Sequence, residues 1–137
     1  MALAKKILFL VILSAFLIAC KTAPLENVHD GVLDTPRGTS LNDVTNSIVR
    51  AGNGLGWQMK KVKPGMIVGT LYLRKHMAQV NITYDTKSYN IDYRNSSNLN
   101  YNKTDSNYDG QTSIHPNYNG WVKNLSRAIN NQVYSIN

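Results

Sequence analysis

One cysteine, Cys20, stands among 137 residues, so no disulfide can close within the chain. Long apolar runs are missing too. The longest, Ile7 to Ala19, has 13 residues, and a helix needs roughly 20 to cross a bilayer. Acidic side chains are scarce, 8 against 15 Lys and Arg, which leaves a net charge of +7. Histidines number three: His29, His76 and His115. No two of them share metal-ligand spacing, and no Glu lies near any of them except Glu26, three residues before His29. That excludes a readable zinc site or general base. No G-x-S-x-G turn marks a serine nucleophile. The chain therefore reads as a non-enzyme, with no catalytic residue to name. Its length suits one domain and is too short for two ordinary ones.

What is present begins with a short basic start, Met1 to Lys6 with Lys5 and Lys6, followed by the apolar run ILFLVILSAFLIA. These are the charged and apolar parts of a secretory signal. The run ends at Leu17-Ile18-Ala19-Cys20. This resembles the lipobox of bacterial prolipoproteins, with Leu at −3, small Ala at −1 and Cys at +1. The resemblance implies a signal peptide at 1–19, diacylglycerol (palmitate-bearing) on the Cys20 thiol, cleavage before Cys20 and acylation of the new amino group. One acyl chain binds a membrane marginally and two or three hold firmly, at about 0.8 kcal/mol per buried CH₂. The sorting position, residue 21, is Lys and not Asp. By resemblance to Gram-negative lipoproteins this implies the outer membrane, facing the periplasm.

Beyond residue 19 the chain keeps 13 basic and 8 acidic side chains, a net charge of +5. A balance of that size favours anionic lipid or polysaccharide at low salt and is screened at physiological salt. Nucleic acid is not an expected partner of an exported chain. Asn is abundant, with 17 residues; it favours turns and caps, so polar loops are expected.

Residues 20–38 hold Pro24, Gly31, Pro36 and Gly38 without a sustained period. They read as a flexible tether that lifts the domain tens of ångströms off the lipid. A single α+β domain is expected over 39–137. Leu41, Val44, Ile48 and Ala51 recur on one helix face, with Ser40 and Asp43 as a capping box. Residues 55–94 predict four strands. A three-residue loop Lys63-Pro64-Gly65 pairs Val62 with Met66 and sets Met59 opposite Gly69. The following turns set Leu71 opposite Ala78, Ile67 opposite Ile82, and Tyr84 opposite Tyr89. One face then gathers Leu55, Trp57, Met59, Ile67, Leu71, Leu73, Ala78, Val80, Ile82, Tyr84, Tyr89, Ile91 and Tyr93. Residues 95–115 read as an Asn/Ser-rich loop. Residues 116–134 predict a second helix, with Pro116 in its first turn. The expected fold is a two-layer sandwich: a four-stranded antiparallel meander with an N-terminal and a C-terminal helix on one face, in the order α-β-β-β-β-α.

Asp105-Ser106-Asn107-Tyr108-Asp109-Gly110 matches D-x-N-x-D-G, the start of a calcium loop. The calcium candidates are Asp105, Asn107 and Asp109. The twelfth position is Pro116, where a bidentate Glu belongs, so an Asx-rich turn is the plainer reading. No cofactor is expected apart from the lipid on Cys20. Lys60, Val68, Tyr72 and Arg94 fall on the outward face of the sheet and form the candidate interaction surface.

Gly56-Trp57, Pro64-Gly65, the Tyr89–Tyr93 run and IHPNYNGWVKNL at 114–125 resemble small uncharacterised proteobacterial lipoproteins, which carry no assigned activity. Three roles stay open: an envelope interaction or structural module contacting another envelope protein, a binder of a glycan or anionic polymer such as peptidoglycan or lipopolysaccharide, and an enzyme.

Overall fold

Turns, caps and alternating apolar residues set most of the architecture. It is visible in a computed structural model that describes residues 21–136. Cys20 and the signal-like segment lie outside the described residues. The strands are β1 (Ala23–Pro24), β2 (Val28–Val32), β3 (Gln58–Lys63), β4 (Met66–Leu73), β5 (His76–Tyr84), β6 (Ser88–Ser97), β7 (Asn102–Asp105) and β8 (Gln111–Ile114). The helices are α1 (Leu41–Gly54) and α2 (Pro116–Tyr134), with a 3₁₀ turn at Ser106–Tyr108.

The fold is α+β, but the expected four-stranded meander is corrected. Eight strands form two antiparallel sheets, one of five in the order β2-β6-β5-β4-β3 and one of three in the order β1-β8-β7. The meander β3–β6 lies inside the larger sheet. Leu71 pairs with Ala78, Ile67 with Ile82, Met59 with Gly69 and Tyr84 with Tyr89. Val62 does not pair with Met66. Lys63 does, and Val62 is the extra residue of a bulge.

The stretch expected as a tether is folded. β2 pairs with β6, and Leu33 just after it is 3 % exposed. No alternation announces β2. Its register shifts between Val28 and Gly31, and Asp30 is left-handed at φ 53°. Gly31 is required by close approach, because a Cβ there would sit 2.5 Å from the Tyr89 ring. The expected loop at 95–115 likewise holds β7, the 3₁₀ turn and β8, built from mostly polar residues with the buried Ile114 at the end of β8.

Ser40 caps α1 as a full capping box: its hydroxyl accepts from the Asp43 N–H at 3.1 Å, and its own N–H donates to the Asp43 carboxylate at 2.9 Å. His115 caps α2 by accepting from the Asn117 N–H at 3.1 Å. One apolar core joins Val44, Ile48, Tyr118, Leu125 and Ile129 of the helices to Ile67, Val80, Ile82 and Ile91 of the sheet. Two tyrosines tie the layers together. Tyr84 meets the Thr45 hydroxyl of α1 at 2.6 Å, and Tyr89 meets the Ser126 hydroxyl of α2 at 2.5 Å. Leu55 and Leu73, expected in this core, are 43 % and 45 % exposed; Leu55 lies just past the end of α1 and Leu73 is the last residue of β4.

Candidate functional site

The residues proposed from sequence fall in separate places. On the outer face of the five-stranded sheet, Lys60 pairs with Val68, which pairs with Asn81. Arg94 sits at a register shift of β6, where its guanidinium donates to Gln79 Oε1 at 3.1 Å and Asn81 Oδ1 at 3.0 Å. Lys60 and Val68 thus share a row with Asn81 and Asp92, and the Arg94 guanidinium reaches that row through Asn81. Tyr72 pairs with Met77, four residues further along β4, which is about 13 Å at strand spacing. Tyr72 is 63 % exposed, whereas Val68 is buried at 8 %. Val68 is therefore withdrawn as a contact residue: a short side chain on an interior strand is flanked on both sides by longer ones.

The acidic loop folds onto itself. Asp105 Oδ1 accepts from the backbone and side-chain N–H of Asn107, both at 3.0 Å, and Oδ2 accepts from the Ser113 hydroxyl at 2.6 Å. These bonds, Ser113 foremost, hold its carboxyl below the usual carboxylate range. Asn107 turns its NH₂ toward Asp105, and Asp109 is left-handed at φ 53° before Gly110. The three calcium candidates therefore make a hydrogen-bonded turn that starts the hairpin to β8. Among the described residues no group of three His, Cys, Asp or Glu converges.

The histidines are used structurally. His29 meets the Asp92 carboxylate at 2.7 Å on the surface, and His76 Nδ1 lies 2.7 Å from the Asn98 carbonyl.

Sequence reasoning missed a groove. It lies between the first turns of α1 and the β3–β4 hairpin, has a volume of about 460 Å³, and is lined by Leu41, Asn42, Thr45, Lys61, Val62, Lys63, Pro64 and Tyr84. No carboxylate lines it. Thr45 donates to the Leu41 carbonyl at 2.8 Å, so its hydroxyl accepts from Tyr84. Lys61 pairs with Ile67 and so stands on the core-side register of an edge strand. Among the described residues its ammonium reaches only the neutral Asn46 amide, at 3.4 Å. A lysine two residues after Met59, where the alternation calls for an apolar side chain, was the readable signal.

The two ends of the large sheet differ. The described chain starts at the end that carries the β4–β5 turn: Ala23 pairs with Ile114, the His115 N–H donates to Leu99, and His115 lies 6.4 Å from His76. The groove lies at the other end, beside Tyr84, a nine-residue strand away, or about 27 Å. No family model, curated protein or solved structure matches this chain.

Proposed function

We propose that this protein is an envelope lipoprotein, cut after a signal peptide at 1–19, lipidated on Cys20, and serving in the outer membrane as a non-enzymatic interaction module. The lipobox-like Leu17-Ile18-Ala19-Cys20 behind a basic start and a 13-residue apolar run carries the reading. The fold adds support. Its first strand begins at Ala23, so only Lys21 and Thr22 separate it from Cys20, a span of about 10 Å when extended. Thr22 is already fastened, since its carbonyl accepts from the Tyr108 hydroxyl. Lipid on Cys20 would hold the domain against the bilayer by its β1 end. Arg74 and Lys75, in the β4–β5 turn of that end, would then face the headgroups, where each cation near an anionic surface contributes about 1 kcal/mol.

Metabolic labelling with radiolabelled palmitate tests the anchor. Wild type is expected to take up label and fractionate with outer membrane, and Cys20→Ala to lose label and accumulate as precursor. Equal labelling of the two would overturn the reading.

A further inference from the structure

The groove at the far end of the sheet has a size and a chemistry that the proposed anchor does not use. Its volume of about 460 Å³ falls within the range of small-molecule sites, roughly 300–1,000 Å³. Leu41, Val62, Pro64 and Tyr84 give it apolar walls, and Val62 is 51 % exposed because the bulge turns it out of the ladder. The two hydroxyls in its lining, of Thr45 and Tyr84, already serve each other. That leaves Lys61 and Lys63 as the strong donors, and among the described residues neither forms an ion pair. A neutral apolar ligand would leave both ammonium groups without a counter-charge. A small hydrophilic anion would leave the walls in contact with water. Two cations at the rim of an acid-free apolar cleft complement an anion joined to a hydrocarbon chain.

We propose that this groove binds a single-chain anionic amphiphile, its carboxylate or phosphate at Lys61 and Lys63 and its hydrocarbon along Leu41, Val62, Pro64 and Tyr84. The proposal concerns the folded domain and does not depend on Cys20. The head group could come from a free fatty acid or from a lysophospholipid, which share this chemistry.

A photoreactive alkynyl fatty acid added to membranes containing the full chain tests it, with cross-linked peptides mapped by mass spectrometry. Label is expected on the segments 41–45 and 61–64. Decanoate or lysophosphatidate should compete at least tenfold better than decanol, and whichever acts at lower concentration identifies the source. Lys61→Gln with Lys63→Gln should lower labelling at least fivefold with an unchanged thermal melt, since both side chains are exposed. Label confined to the β1 end would report general contact with the bilayer and overturn the proposal. So would equal competition by decanol, or undiminished labelling of the double variant. Palmitate uptake on Cys20, read from the same sample, reports the anchor separately.

Discussion

The meander β3–β6 and the N-terminal segment from Ala23 to Leu33 are both β-structure, yet different forces hold them. Successive tight turns join the meander, and its inner face is buried under two helices, with Ile67, Ala78, Val80, Ile82 and Ile91 fully buried. The N-terminal segment pairs with β8 and β6 and buries Leu33, but much of its docking comes from side-chain amides. Asn119 of α2 accepts from the Glu26 N–H at 3.0 Å and donates to the Pro24 carbonyl at 2.9 Å. Asn27 accepts from the Tyr93 N–H at 2.9 Å, and Asn90 accepts from the Asp30 N–H, also at 2.9 Å. Apolar burial makes a unit that folds together, whereas amide docking adds a segment that can come off by itself. The contrast predicts that the segment 23–33 is released more easily than the meander.

The largest test of that contrast is Ile82→Ala. Truncation of a fully buried Ile at the centre of the sheet is expected to cost about 2–5 kcal/mol. Denaturant unfolding should show one lowered transition for the whole domain. Asn119→Ala removes both bonds of a buried amide and is expected to cost about 1–3 kcal/mol. Hydrogen exchange should speed up across 23–33 while the meander amides keep their protection. If the meander exchanges faster to the same degree, the two regions are one unit and the contrast fails.

Acid should act in the same order. Hydrogen bonds from Ser113 and Asn107 hold Asp105 below its ordinary range, those from Lys87 and Ser88 do so for Asp85, and those from Ser40 for Asp43. A carboxyl depressed by folding adds stability that is present above its unfolded pKa, about 3.9, and is lost as pH falls through the folded value. Melting temperature should hold at neutral pH and drop below about pH 4. Asp105→Asn should flatten that drop, and the β1-β8-β7 sheet, which holds Ser113, should loosen first.

Two substitutions should do little. Tyr118→Phe removes a hydroxyl that is buried with no hydrogen-bond partner among the described residues and keeps the ring that meets Tyr93 edge-on at 5.7 Å. Stability is expected to stay level or rise by up to about 1 kcal/mol. Arg94→Ala trims an exposed side chain from the outer face and should move stability by less than about 0.5 kcal/mol. Thermal melts check both.

The same contrast explains what could be read from sequence. Alternation and tight turns announce a strand that buries one face, so the inner-face register from Ile67 to Ile91 was legible, as were the two capped helices. Lys63 pairing with Met66 was not, because a bulge at Val62 leaves Met59 opposite Gly69 either way. The strands held by amides left no period. Asn27, Asn90 and Asn119 were visible as an excess of Asn, but composition does not say which backbone each amide will meet. The candidate surface fared unevenly for a related reason: register put Val68 on the outer face, yet only its flanking side chains decide exposure.

One edge of the sheet carries a further consequence. β3 has no neighbour on its outer side among the described residues, and an open edge invites a second strand. This one presents Lys60, Lys61 and Lys63 within four residues and breaks its ladder with a bulge. Two such edges brought together would set lysines against lysines across about 5 Å, the spacing of paired strands. Crowding would therefore not zip two copies together through their β3 edges.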